Sequence, residues 1–469
     1  MTAQRISIHG QWSSRMAFML AAAGSAIGLG NIWKFPYITG QNGGGAFVLV
    51  YLGCIALIGI PIMMAEILLG RRGRQSPINT MRTLAAEEGG NRYWQFMGWG
   101  GVAAGFIILS FYSVIAGWAL AYVFRAASGM FSGASPEQIN TIFSELVADP
   151  ERLLAWHTLF MAMTLVVVAR GVRSGLEQAV KFMMPALFII LLMLDGYALN
   201  TGKFMEGFHY LFDADFSRIS AKGVLVALGH AFFTLSLGMG AIMVYGSYLP
   251  QHASIARATV AIALLDTLVA LLAGLAIFPL VFANGLTPGE GPGLVFKTLP
   301  IAFGQMPGGA LFGTLFFILL VFAAWTSSIS LVEPAVAWLV ENHGMTRVKA
   351  VVWCGFTAWL LGIASVLSFN LWSGFTPLAG LAGFETKTIF DLLDFLASNI
   401  MLPLGGLLIA LFTGWVLSRA SSTEELAMGD GLAYKAWRFT LRYISPCAIL
   451  LVFLNLLGVL DWLRQVLGI

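Results

Sequence analysis

Long apolar runs separated by short polar stretches fill the chain from end to end. A helix needs about 20 apolar residues to cross a hydrocarbon core of roughly 30 Å, and that window picks out about eleven segments. They lie near 16–40, 45–70, 95–125, 153–170, 176–199, 222–249, 257–285, 309–342, 348–369, 389–418 and 439–465. Connections near 126–152 and 200–221, and a Gly/Pro-rich stretch near 284–309, read as loops outside the membrane with short helices of their own. The pattern predicts an all-α polytopic membrane protein in which residues 1–469 form a single transmembrane domain.

Two segments are interrupted in the same way. The first carries Ser25-Ala26-Ile27-Gly28-Leu29-Gly30-Asn31 and the sixth Thr234-Leu235-Ser236-Leu237-Gly238-Met239-Gly240. A glycine in a helix interior costs about 1 kcal/mol relative to alanine, so a Gly-x-Gly beside small polar residues marks a place where a helix unwinds. Irregular backbone at membrane depth survives only where it lines a cavity or is buried in protein. Close helix packing is enough to explain one such pair. The matched pair, five helices apart, is what a 5 + 5 inverted repeat produces, with repeat one over about 12–199, repeat two over about 222–418 and an extra C-terminal helix over about 439–465.

Composition narrows the class. Only 10% of the 469 residues are charged and 58% are hydrophobic, against roughly a quarter charged in soluble domains, which excludes a water-soluble enzyme. The net charge of +3 is dispersed, so nucleic acid is not an expected partner. Cys54, Cys354 and Cys447 lie in apolar runs, and the six histidines show no ligand spacing, so neither a disulfide framework nor a transition-metal site is implied. Arg71, Arg72, Arg74, Arg82 and Arg92, then Arg170, Arg173, Arg257, Arg347 and Arg419, collect on the side that also holds the N-terminus. Basic loops stay cytoplasmic, which places the N-terminus inside.

Several side chains at membrane depth carry chemistry. Asp266 sits well inside the seventh segment, where an ionised group costs about 2.5–3.5 kcal/mol and needs a cation, and Asn31 and Thr234 can add neutral oxygens. In the eighth segment Ala323, Thr326 and Ser327 share one face, offering hard oxygen ligands suited to a small alkali cation. Tyr112 shares a face with Ile108, while Lys34 and Asp394 occupy the same outer level and form a candidate gate. Glu66, ahead of Leu-Leu-Gly-Arg-Arg-Gly, and Glu333, before Pro334, read as structural carboxylates paired with nearby basic groups. The glycine runs lack the strand and spacing of a nucleotide loop.

The stretches AIGLGNIWKFPYITGQNGGGAF (26–47), FFTLSLGMGAIMVYGSYL (232–249), TSSISLVEP (326–334) and GIPIMMAEILLGRRG closely resemble the neurotransmitter:sodium symporter family, in particular its bacterial amino-acid transporters. The resemblance implies a first sodium site at Ala26, Asn31, Thr234 and Asp266, completed by the substrate carboxylate. It implies a second at the backbone oxygens of Gly24, Ile27 and Ala323 and the hydroxyls of Thr326 and Ser327. The implied substrate pocket comprises Ala26, Leu29, Gly30, Ile108, Tyr112, Phe233, Thr234, Ser236, Met239, Ser327 and Leu331. Phe233 resembles the aromatic lid, and Lys34 with Asp394 the outer gate.

Departures from the family pattern sharpen the expectation. Position 266 is Asp where other members have Asn. That fixed charge replaces the chloride bound by animal members, leaving Tyr51 and His230 as a vestige of that region. His9 stands where the family has an arginine facing the carboxylate at Glu341, which puts that pairing in question. Gly28 replaces the aspartate of monoamine carriers and leaves room for a substrate carboxylate, and Ile108, Met239 and Leu331 make the far end of the pocket apolar. The expectation is a sodium-coupled symporter, not an enzyme, importing a neutral, apolar or aromatic L-amino acid across a bacterial inner membrane by alternating access, with two sodium sites and no chloride. A carrier of another zwitterion (taurine, betaine) and a non-transporting amino-acid receptor are the alternatives.

Overall fold

A computed structural model describes residues 5, 7–287, 293–381 and 383–459. In chain order the helices are α1 (Arg15–Ala26), α2 (Gly30–Gln41), α3 (Gly45–Gly73), α4 (Pro77–Glu87), α5 (Arg92–Ala127), α6 (Pro136–Ala148), α7 (Pro150–Ala169), α8 (Val172–Leu199) and α9 (Phe204–Phe212). They continue with α10 (Ala221–Thr234), α11 (Ala241–Ser247), α12 (Ile255–Ala283), α13 (Leu299–Gln305), α14 (Gly309–His343), α15 (Arg347–Leu367), α16 (Ile389–Val416), α17 (Arg419–Leu426) and α18 (Leu432–Leu456). Among the described residues 9 of these helices are long and apolar enough to cross a membrane unbroken, and α1 with α2 makes a bent pair at 50°. The sixth expected segment is α10 followed by α11, so each expected apolar segment is mainly helical over its described residues.

Both interruptions fall where the glycine pattern predicts. The Ser14 hydroxyl caps α1 by accepting from Ala17 N at 3.1 Å, and α1 stops when Ile27 turns extended at ψ 101°. Between α10 and α11 the backbone turns left-handed at Ser236, Gly238 and Gly240, with φ of 54°, 80° and 76°. A side chain at Gly238 would run into the carbonyl of Leu402 on α16, so glycine serves both the turn and the close approach. Each break leaves backbone groups without helical partners in the middle of the bundle, the condition under which they can meet a polar ligand.

The centre of the bundle is the long α5–α14 pair. Their apolar windows are 78% buried, against 22% for α18, which therefore lies at the periphery with most of its surface available to lipid. The short helices α6, α9 and α13 occupy the connections where they were expected. Three details differ from the sequence reading. α4 and α17 are additional helices in polar connections, and α18 begins at Leu432 instead of near 439. In the extra turns Arg438 donates to the Tyr434 hydroxyl at 3.0 Å and to Leu417 O at 3.0 Å, which satisfies the donors of a charged stretch that hydropathy counts against a helix. Residues 460–465 of the expected last segment lie outside the described residues.

Candidate functional site

Asp266 is fully buried on α12 and faces the first break. Asn31 Nδ2 donates to its Oδ1 at 2.8 Å and to its backbone oxygen at 3.0 Å, while the Thr234 hydroxyl lies 3.2 Å from each carboxylate oxygen. The amide oxygen of Asn31 in turn accepts from Gly28 N at 3.0 Å, so one side chain ties the carboxylate to the unwound backbone of α1–α2. A buried carboxylate without a cationic partner among the described residues, held by neutral amide and hydroxyl groups, is an arrangement suited to an alkali cation.

On the opposite side of the same break, Thr326 and Ser327 of α14 face α1. The Ser327 hydroxyl lies 3.5 Å from Gly24 O, 3.4 Å from Ile27 O and 3.2 Å from Ala323 O. The Thr326 hydroxyl lies 3.1 Å from Ala323 O. The five oxygens that the family resemblance grouped therefore lie together in one cluster, and none carries a formal charge. Thr326 and Ser327 also hydrogen-bond within their own helix or to α1, the ordinary behaviour of hydroxyls in apolar helices.

Between these clusters lies a small cavity of about 20 Å³ lined by Ser25, Ala26, Gly28, Gly30, Ile108, Tyr112, Phe233, Ser236, Met239, Ser327 and Leu331. Of the residues expected there, Leu29 instead faces the adjoining outer cavity and Thr234 turns to Asp266. Ser25 and Gly28 are additions. The Tyr112 hydroxyl accepts from Leu29 N at 3.0 Å, and Ser236 donates to Ser25 O at 2.9 Å, so the two breaks are joined directly. A Cβ at Gly28 would sit 2.5 Å from Ser327 Oγ and 2.7 Å from the Tyr112 hydroxyl, so both polar groups close on the space a side chain would fill. Ile108, Met239 and Leu331 make the other end apolar.

The two ends of the path differ. At the outer end Lys34 does not pair with Asp394. Its ammonium lies over the Phe233 ring at 4.4 Å, and Asp394 accepts from the Ser398 hydroxyl at 2.8 Å. Both border a cavity of about 260 Å³ with Asp391 and Tyr37. At the inner end the doubtful pairing is made: His9 Nε2 lies 3.0 Å from Glu341 Oε1. Glu341 also accepts from Ser76 N at 2.7 Å and Asn79 Nδ2 at 2.7 Å, and Trp12 donates through its indole to Tyr245 O at 3.0 Å. The segment before α1 is thus pinned across the inner face.

Of the two carboxylates assigned to basic partners, Glu333 meets Arg347 at 3.0 Å and the Tyr248 hydroxyl at 2.8 Å. Glu66 is different. It is fully buried, has no cationic partner among the described residues, and accepts from Gly238 N at 2.5 Å. It holds the second break instead of ending a helix, and the apolar residues on both sides of it in IPIMMAEILLG were the signal.

Comparison with known proteins follows this geometry. A family model described as the sodium:neurotransmitter symporter family matches residues 9–140 and 144–463. An uncharacterized sodium-dependent transporter, YhdH, of Bacillus subtilis is 42% identical, over 96% of this chain and 98% of its own length. The sodium- and chloride-dependent GABA transporter 2 of Rattus norvegicus is 25% identical, over 95% of this chain and 79% of its own. The crystal structure of MhsT in complex with L-phenylalanine superposes with a TM-score of 0.87 at 46% identity, covering 95% of this chain and 99% of that one. The bundle, its paired breaks and these matches lead to one assignment: the chain belongs to the sodium:neurotransmitter symporter family.

Proposed function

We propose that this symporter imports a neutral, apolar or aromatic L-amino acid together with sodium, by alternating access of repeats spanning about 12–199 and 222–418, in a bacterial inner membrane with its N-terminus inside. One observation carries the reading. A charged oxygen cluster at Asp266 and a neutral one at Thr326–Ser327 flank the same broken segment, with the cavity between them. In this reading Asp266, Asn31, Thr234 and Ala26 hold one sodium with the substrate carboxylate, and Gly24, Ile27, Ala323, Thr326 and Ser327 hold a second. Tyr112 and the backbone amides of the break receive the substrate carboxylate, and Phe233 closes over it. The fixed charge of Asp266 supports transport without chloride. The apolar end formed by Ile108, Met239 and Leu331 supports an apolar side chain, in keeping with the phenylalanine bound to MhsT.

Each bound species favours the same occluded arrangement, so sodium and substrate raise each other's affinity reciprocally. Uptake of radiolabelled phenylalanine, leucine and tryptophan into proteoliposomes, with and without an inward sodium gradient and in chloride or gluconate, tests this. Accumulation should require sodium and ignore chloride. Accumulation without sodium, or none with any of the twenty amino acids despite sodium-dependent binding, defeats it; the second result points to a receptor.

A further inference from the structure

A second outer chamber lies beside the candidate gate, and no step of the proposed transport cycle uses it. It has a volume of about 230 Å³ and sits between α2, α10, α16 and α18. Its polar lining is basic or amide: Lys34, Lys222, His230, Asn399 and Asn455, with Ser398 at the edge. Among the described residues no acidic side chain borders it. Asp394, one turn from Ser398, faces the neighbouring cavity and accepts a hydrogen bond from the Ser398 hydroxyl.

The polar groups are not consumed internally. Neither lysine makes an ion pair and neither asparagine side chain a hydrogen bond among the described residues. His230 is 3% exposed, and neither ring nitrogen has a hydrogen-bond partner. Its ring rests on Phe35 and Tyr51, at 6.1 and 5.5 Å between centroids, which fixes it as the chamber's inner wall. Uncompensated positive groups around a space with apolar walls focus a field that draws in negative charge. Lysine ammonium groups suit phosphate oxygens, and two side-chain amides supply further donors.

We propose that this chamber binds a phosphate-type anion, held by Lys34 and Lys222 with Asn399 and Asn455, supplied either free from the medium or as the headgroup of an anionic lipid. Lys34 borders both outer cavities, so an anion here holds its ammonium apart from Asp394 and keeps the outer path from closing.

Binding is read without transport, so the result is independent of the substrate reading. Thermal unfolding of the full chain is followed in detergent at fixed sodium while inorganic phosphate replaces a bulky buffer anion. It is then followed in nanodiscs of phosphatidylglycerol or phosphatidylcholine. Wild type is expected to be stabilised by one of the two probes. Lys222→Gln and Asn455→Leu should each raise the half-saturating phosphate about tenfold or remove the phosphatidylglycerol effect, equivalent to about 1.4 kcal/mol. Lys203→Gln, on an exposed residue paired with Glu206, should behave as wild type. A response to phosphate identifies a free anion, and one confined to phosphatidylglycerol identifies a lipid headgroup. No response to either, or a response that survives both substitutions, overturns the proposal.

Discussion

The two oxygen clusters flanking the first break are close in space but unlike in construction. The one at Asp266 contains a buried carboxylate whose orientation is set by Asn31 and Thr234. The one at Thr326 and Ser327 contains only hydroxyl and carbonyl oxygens drawn from α1 and α14. Charge makes the first strong but committed, because an ionised group at that depth is costly until a cation joins it. The second depends on geometry alone: small movements between α1 and α14 separate its members without leaving a charge behind. In the proposed cycle the neutral cluster is therefore the one suited to releasing an ion when the helices part, and the charged cluster the one suited to staying linked to substrate.

The largest effect should follow from removing the difference. Asp266→Asn is expected to lower sodium-driven uptake about 100-fold, near 2.7 kcal/mol, with partial recovery when chloride is added. Near-normal uptake indifferent to chloride would abolish the distinction between the clusters. Gly28→Ala comes next. Its methyl group would collide with Ser327 Oγ and the Tyr112 hydroxyl, which border the substrate cavity and the neutral cluster together. The expected outcome is a KM for phenylalanine raised about 30-fold with a smaller change in sodium half-saturation, measured from initial rates.

Thr326→Ala isolates the neutral cluster. It removes one hydroxyl and leaves the carbonyls in place, so half-saturating sodium should rise about tenfold while the substrate KM at saturating sodium stays within about twofold. An equal loss in both parameters would mean that this cluster is coupled to substrate as closely as Asp266. The smallest effect is expected at the inner end. His9→Ala removes one polar contact and a ring contact with Tyr248, and Glu341 keeps Ser76 and Asn79. The uptake rate should change about threefold, with labelling of a cysteine placed at Ser25 from the inner side increased. A loss as large as that of Asp266→Asn would make His9 part of the ion path and not a latch.

Much of this architecture is legible in the residues. The apolar segments follow from run length, and both breaks from Gly-x-Gly beside small polar groups. Asp266 stands out because it interrupts an apolar run. Glu66 meets the same criterion but is misread, since Arg71 and Arg72 follow within two turns and suggest a helix end with local partners. In the folded chain those arginines turn elsewhere, Arg71 to Glu425 and Arg72 to Glu424, and Glu66 is left to the Gly238 amide. α17, which supplies both of those glutamates, is a short polar helix that no hydropathy window detects. Lys34 and Asp394 illustrate the complementary failure. Their levels are readable from position in the segments, but whether they pair depends on how α2 and α16 are tilted, and here each has found a nearer partner.

The sequence by itself determined the membrane class, the approximate limits of the apolar segments, the two unwound points, and the residue types available at mid-membrane depth. Hydropathy and glycine placement are local properties, and the absence of water in the bilayer makes them decisive. Only the tertiary structure decided which oxygens meet. Asn31 with Asp266, Ser327 with Ile27, and Glu66 with Gly238 are separated by 235, 300 and 172 positions. Such partnerships arise from how helices pack around the breaks, where many residues of the same type compete and close approach selects among them.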